Sequence, residues 1–192
     1  MPAFPKPIHL SHQFIRSVAS SGDTVVDATL GNGHDALFLA RLVGDQGEVI
    51  GFDIQADAVE SARDLMIKNA VNTSSYRFFH AGHECMAEHV TEEVSVVMFN
   101  LGYLPNADKS VITEMDTTLA AIEQAISLLK VGGLISIMCY PGHSGGDTES
   151  AAVKAFCASL EREKYRVAEY GLVNAPNNPP FLLLIEKLSP RN

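Results

Sequence analysis

Asp27-Ala28-Thr29-Leu30-Gly31-Asn32-Gly33-His34-Asp35 is the stretch that decides how this chain folds. It joins a short β-rich run, TVVDAT (24–29), to HDALFLARLVG (34–44), which is apolar at Leu37, Phe38, Leu42 and Val43 and ends on a glycine, as a helix does. Two glycines flanking an asparagine directly before a helix let the backbone turn tightly and let a ligand come close to the main chain. The next β-rich run, EVIGFDI (48–54), carries Asp53 at its end. A carboxylate there accepts two hydrogen bonds from a ribose diol. The glycine loop and strand-end acid together point to a nucleoside-containing ligand.

The same alternation continues outward in both directions. LSHQFIRSVA (10–19) reads as a helix before the first strand. ADAVESARDLMIKN (56–69) is an amphipathic helix, YRFFHAG (76–82) a strand, and ECMAEHV (84–90) a short helix. VSVVMFNL (94–101) is nearly all apolar, as a central strand covered on both faces should be. TTLAAIEQAISLLK (117–130) is helical and closed by Gly132-Gly133, and LISIMCY (134–140) is another buried strand. DTESAAVKAFCASLEREK (147–164) is a helix with Thr148 as a candidate cap. YRVAEYGLV (165–173) and FLLLIEKL (181–188) are the last strands, joined by NAPNNPP. This predicts an α/β, doubly wound, Rossmann-like fold: a seven-stranded, mainly parallel sheet with an antiparallel end and helices on both faces. Ligands in such sheets bind at the carboxyl ends of the strands, where strand order reverses.

Bulk properties narrow the function. The chain has 192 residues, 46% hydrophobic and 19% charged, which predicts one domain over 1–192 with a short N-terminal helical extension, about 1–22. No apolar run reaches the roughly 18 residues needed to span a membrane. No signal-type apolar segment opens the chain, so a cytoplasmic protein with no membrane partner is expected. Cys85, Cys139 and Cys157 are scattered, without a CxxC pair, and read as reduced thiols rather than metal ligands. A net charge of −9 argues against a generic nucleic-acid coat. Yet the first 22 residues hold Lys6, His9, His12 and Arg16 and no acid. They form either a solvated helix or a contact surface for a polyanion.

The loop chemistry separates two ligand classes. The dinucleotide fingerprint has a third glycine for helix packing, whereas here Ala36 stands in that place, which some dinucleotide sites tolerate. More telling is Asp27, upstream of Gly31: a carboxylate there repels a pyrophosphate and suits the amino group and sulfonium of S-adenosylmethionine (SAM). Gln55 follows Asp53 and is placed to reach the ribose or the adenine edge. Ala81-Gly82-His83-Glu84 ends the third strand beside the adenine position. His83 and Glu84 are polar contacts there, with Glu84 equally readable as a helix N-terminal acid.

The acceptor side follows from the fourth strand, which ends in Asn100-Leu101-Gly102-Tyr103. The Asn100 carboxamide oxygen and a following backbone carbonyl can accept hydrogen bonds from an amine and aim its lone pair at a methyl donor. Asn-Leu-Gly-Tyr is thus a variant of the Asn-Pro-Pro-aromatic tetrapeptide that many amino-group methyltransferases use. The alternative is a tight turn needing Gly102. Tyr103 and Tyr140 are placed to pack on the acceptor. His143, in the loop YPGHSGG (140–146), is a candidate proton acceptor or an exposed loop histidine. NNPPF (177–181) spells the tetrapeptide but follows the sixth strand. It reads first as a connector, and second as a loop placing Asn174, Asn177 and Asn178 over the acceptor pocket.

With these residues assembled, the chain resembles the small SAM-dependent methyltransferases of the rRNA-methylase family, which includes the MnmM-type tRNA wobble-uridine methyltransferases. The resemblance runs from His12 to Glu186 and rests on DATLGNGHD, GFDIQ, AGHE, FNLGYLPNADK, YPGHSGG and NNPPFLLLIEK. It implies the class I SAM-dependent methyltransferase fold. It implies methyl transfer to the exocyclic amine of 5-aminomethyl-(2-thio)uridine at the wobble position, and so a tRNA anticodon region as partner. It also implies cofactor contacts at Asn32, Gly33, Asp53, Gln55, His83 and Glu84, to which the residue reading adds Asp27, Thr29, Gly31, Asn100 and Gly102. The catalytic candidates are Asn100, Tyr103, Tyr140 and His143, with no metal. An acidic chain that binds RNA needs a local positive surface, expected at Lys6, Arg16 and Lys109. The apolar N-terminal segment suggests a homodimer. An rRNA or small-amine methyltransferase, a nicotinamide-dependent oxidoreductase and a non-catalytic SAM-binding protein are the competing readings.

Overall fold

The computed structural model describes residues 3–102, 113–142 and 145–190. The elements run α1 (Pro7–Val18), β1 (Thr24–Asp27), α2 (His34–Val43), β2 (Glu48–Asp53), α3 (Ala56–Lys68), β3 (Tyr76–His80), α4 (Met86–His89), β4 (Val94–Asn100), α5 (Met115–Leu128), β5 (Leu129–Cys139), α6 (Gly146–Ser159), β6 (Tyr165–Tyr170) and β7 (Phe181–Lys187). The sheet order is β3-β2-β1-β4-β5-β7-β6. β1 to β5 are parallel, and β7 inserts antiparallel between β5 and β6. Strand order reverses between β1 and β4, so the loops leaving those two strands diverge and open a crevice.

Alternating side chains of the central strands feed two cores. Val26, Phe52, Phe99 and Ile137 pack in one core with Ile122 of α5 and Val153 of α6. Val25, Val96 and Met138 pack in the other with Ile15 of α1, Leu39 of α2 and Ala62 of α3. β4 is buried from Val94 to Phe99 and only Asn100 emerges, at the crevice. Burial on both faces explains its continuous apolar run.

α1 starts at Pro7, earlier than its apolar spacing suggests, because proline suits the first helical position, where no N–H is needed. It lies across β4, β5 and β7. Ile15 is fully buried, and the Ser11 and Ser136 hydroxyls meet at 2.6 Å. The helix ends are where the expected boundaries shift. α5 stops at Leu128 and residues 129–133 already belong to β5, with an irregular register from Val94↔Leu129 to Val96↔Leu134. Gly132-Gly133 therefore serves a bulge rather than a helix stop. Gly145, in the left-handed region, occupies the N-cap of α6, with no side-chain cap from Thr148. α6 ends at Ser159, and residues 161–164 turn so that Glu161 O accepts from Lys164 N and Tyr165 N. No helix among the described residues is long and apolar enough to cross a membrane.

Gly33 is the glycine on which the first loop turns. Its φ is +77°, and a Cβ there would stand 2.7 Å from Ala62 Cα of α3. Its role is helix packing and a left-handed turn together. Gly33→Ala should cost about 2–5 kcal/mol, the sum of left-handed strain and overpacking. Gly132→Ala, at φ +78° with open space around it, should cost only the strain, about 1–2 kcal/mol. Denaturant midpoints would compare them, and equal losses would contradict the packing role.

Candidate active site

A cavity of about 940 Å³ opens at the carboxyl ends of β1, β2 and β4, within the size range of small-molecule sites. The loop after β1 contributes Thr29, Leu30, Gly31 and Asn32, and the start of α2 contributes His34 and Asp35. β2 and its loop contribute Asp53, Ile54 and Gln55, and the loop after β3 contributes Gly82, His83 and Glu84. Asn100 ends β4, with Leu101 and Gly102 after it, and Tyr140 and Gly142 follow β5. α1 adds Ile8, His9 and His12, and the β6–β7 loop adds Asn177, Asn178 and Pro180.

Asp53 ties two of these loops together. Its Oδ2 accepts from Gly31 N and its Oδ1 from Gln55 N, each at 2.9 Å. An ionised carboxylate has about four acceptor positions, so two remain for a ligand. β-type pairing continues past the ends of β1 and β4: Ala28 N donates to Met98 O, Leu30 N to Phe52 O, and Leu101 N to Met138 O. The loop bases are therefore extensions of the sheet rather than free segments.

Asp27 is fully buried beneath the loop and is not part of the cavity lining. Its Oδ1 accepts from Thr29 N at 3.2 Å. Its Oδ2 has no hydrogen-bond partner among the described residues. Burial first, then the neighbouring Asp35 and Asp53 charges, push its pKa up to about 8. The acid expected to face a cationic ligand thus lies one layer below it. Gly33 likewise faces α3 rather than the cavity. Among the described residues, the carboxylates that do line the cavity are Asp35, Asp53, Glu84 and Glu114.

His83 is buried, and its Nδ1 meets Ala28 O at 3.2 Å. A carbonyl can only accept, so Nδ1 carries the proton. Burial lowers the pKa of the ring, which favours the neutral form. Nε2 is then an acceptor. Glu84 sits in the short 3-10 turn His83–Cys85 and also lines the cavity, so the wall position and the helix-start position coincide. Ile54 lies beside Asp53 and stays half exposed, at 53%.

Asn100 is held at two points. Its backbone N donates to Thr29 Oγ1 at 2.8 Å, and its Nδ2 donates to Asp35 Oδ2 at 2.6 Å. The carboxamide therefore turns its nitrogen towards Asp35 and leaves Oδ1, without a partner among the described residues, as an acceptor. Asp35 Oδ1 in turn meets His12 Nε2 at 2.7 Å. Gly102 and Thr113 close the base of the next loop. Gly102 N donates to Thr113 Oγ1, and Thr113 N to Gly102 O, each at 3.0 Å. Buried Glu149 of α6 accepts from both Thr113 Oγ1 and Thr118 Oγ1. Tyr103, Lys109 and His143 lie outside the described residues.

The β6–β7 loop is more than a connector. Asn177 and Asn178 adopt left-handed φ values of 62° and 44° and reach the cavity, while Asn174 does not. Asn178 Nδ2 donates to Asp147 Oδ1 at 3.1 Å, which fastens the loop to the start of α6. Residue reasoning singled out neither Asp35 nor His12 as a partner of Asn100, because their meeting depends on α1 crossing the sheet. The position of Asp35 beside the glycine loop was the only available hint.

Four carboxylates and no lysine or arginine appear among the described lining residues. That charge balance opposes a pyrophosphate and suits a cation. Asp53 with spare acceptor positions fits a ribose diol, and the left-handed Gly31 lets a ligand approach the main chain. The residues present fit SAM.

Comparison with known proteins agrees. Residues 49–186 match the family described as "Putative rRNA methylase". The chain belongs to this family. It is 38% identical to a tRNA (mnm5s2U34)-methyltransferase of Arabidopsis thaliana chloroplasts, over 95% of this chain and 70% of that protein. A Clostridium thermocellum structure described in the family's own words superposes with a TM-score of 0.95 at 37% identity, covering 97% of this chain and all of that one. A Streptococcus mutans protein described as a methyltransferase, solved in complex with SAH, gives 0.88 at 38% identity, with 96% and 99% coverage. The fold is thus the Rossmann-like methyltransferase fold of this family.

The buried Asp27 has a measurable consequence. Its folded-state pKa, about 8, lies above the ordinary value of 3.8. Between those values unfolding releases a proton, so rising pH favours the unfolded chain. The wild type should therefore lose stability, relative to Asp27→Asn, as pH rises from roughly 4 to 8, by at most about 1.4 kcal/mol per pH unit. Parallel stability–pH curves for the two proteins would contradict a protonated Asp27.

Proposed function

We propose that this protein is a SAM-dependent N-methyltransferase that methylates the exocyclic amine of 5-aminomethyl-(2-thio)uridine at the wobble position of tRNA in the cytoplasm. The observation that carries it is Asn100, with its carboxamide nitrogen held by Asp35 and its oxygen left to accept from an amine beside the cofactor cavity. The name of the chloroplast relative, a methyltransferase of mnm5s2U34 in tRNA, supports the substrate. The SAH bound to the Streptococcus mutans relative supports the cofactor.

SAM, when bound, supplies a sulfonium methyl already activated for transfer. The chain's residues hold and aim. Asp53 accepts from the ribose hydroxyls while keeping Gly31 and Gln55 in place. His83 and Glu84 bound the adenine end. Thr29 fixes the backbone of Asn100, and Asn100 Oδ1 accepts one amine N–H, so that the nitrogen lone pair points at the methyl carbon. Transfer would break the donor's C–S bond as the C–N bond forms, leaving the positive charge on the nitrogen until it passes a proton to solvent. Tyr140, half buried with its pKa raised by burial and by Asp35, stays a neutral phenol and packs the base. The carboxylate ring lowers the cost of holding cationic groups on both donor and product.

Incubating the protein with SAM and tRNA carrying 5-aminomethyluridine should add one methyl to that nucleoside, read by mass spectrometry after digestion. Methylation of ribosomal RNA or free amines alone would overturn the substrate. Asn100→Ala should lower kcat about a hundredfold. SAM affinity should stay within about threefold; an equal loss of SAM affinity would make Asn100 a cofactor contact.

The acidic cavity leaves RNA affinity to its surroundings. Lys6 and Arg16 are exposed on the α1 segment beside it, with the Arg16 guanidinium 4.8 Å above the Phe38 ring. Reversing both charges should weaken tRNA binding and reduce its log–log salt slope by about 1–2. Unchanged affinity and slope would place the phosphate contacts elsewhere.

A further inference from the structure

We propose that His12 is a positioning residue for methyl transfer, acting on the acceptor amine through Asp35 and Asn100. The inference rests on the reading of Asn100 as the amine acceptor and adds the residues that orient it.

A bare asparagine is an ambiguous acceptor. Rotation of its carboxamide by half a turn exchanges the oxygen for an NH2 group of almost the same shape. In the wrong orientation the NH2 group donates to the amine's lone pair and ties up the electrons that must attack. Something must choose the orientation, and in this fold it is Asp35. Both of its carboxylate oxygens are used: Oδ2 accepts from Asn100 Nδ2 at 2.6 Å, and Oδ1 meets His12 Nε2 at 2.7 Å. A carboxylate has only acceptors, so Asp35 rejects the flipped carboxamide.

His12 does the same for Asp35. Its ring stacks on Phe38 at 4.0 Å with 13° between the planes, which sets its orientation. α1 is anchored by fully buried Ile15 and by the hydroxyl contact between Ser11 and Ser136. The His12 and Asp35 side chains are only 22% and 18% exposed, so water competes weakly for these bonds. Without His12, Asp35 Oδ1 loses its partner and the carboxylate can rotate away from Asn100. α1 is therefore part of the acceptor machinery as well as of the core.

Two readouts test this on the intact protein. The first needs no substrate. The side-chain amide pair of Asn100, assigned in a 15N-correlation spectrum by its loss in Asn100→Ala, should shift and lose its exchange protection in His12→Ala and in Asp35→Ala. It should stay close to wild type in His12→Gln, whose amide can replace the ring N–H. The second is turnover on tRNA bearing 5-aminomethyluridine. His12→Ala should lower kcat roughly tenfold to a hundredfold, with SAM affinity within about twofold, and His12→Gln should recover most of the loss. In an Asn100→Ala background, His12→Ala should cost nothing further. An Asn100 amide pair indifferent to His12→Ala overturns the proposal whatever the substrate. So do losses that multiply in the double variant. If wild type fails to turn over this tRNA, the substrate reading falls while the amide signal still decides the role of His12.

Discussion

One carboxylate holds the site together. Asp53 stands at the end of β2, yet it accepts from the backbone of Gly31, in the loop after β1, and of Gln55, in its own loop. These bonds set the spacing between two loops whose strands are neighbours in the sheet. They leave acceptor positions facing the cavity. A ligand diol at Asp53 and a ligand chain along Gly31 are thus placed relative to each other before anything binds. Preorganisation of this kind removes an ordering cost from binding.

Around that junction the molecule collects negative charge. Asp35, Asp53 and Glu84 face the cavity, and Asp27 lies beneath it with one oxygen unpartnered among the described residues. Carboxylates this close disfavour one another's ionisation, and burial makes Asp27 the one that keeps its proton. The arrangement is strained in the sense that it wants a cation. A sulfonium cofactor and an amine that becomes a cation both answer that want, whereas a phosphate-bearing ligand opposes it. Charge, more than shape, separates this site from the dinucleotide sites built on the same fold.

Much of this was readable in the residues. The glycine loop, Asp53, the all-apolar β4 and the Pro-rich hairpin named the sheet and its polarity, because each is a local signal with one cheap structural solution. Asn100 was readable for the same reason: a polar side chain at the end of a buried strand at the switch point. What escaped depended on contacts between distant parts of the chain. Asp27 looked like a wall residue, but its depth is set by how the loop folds over it. Gly33 looked like a cofactor contact, but the approach of Ala62 explains it. The His12–Asp35–Asn100 chain spans three elements and has no sequence spacing of its own. NNPPF reads from the residues either as a connector or as a loop laying asparagines over the pocket, and the left-handed Asn177 and Asn178 at the cavity favour the second, with Asn174 outside it.

The most direct test of the account is the geometry of the acceptor itself. A crystal structure of the protein with SAH and an anticodon stem-loop bearing 5-aminomethyluridine would trap the unmethylated amine. The account predicts that nitrogen within about 2.6–3.2 Å of Asn100 Oδ1, on the side facing the SAH sulfur, with the ribose diol on Asp53. An amine lodged elsewhere, with the Asn100 carboxamide turned to SAH instead, would contradict it.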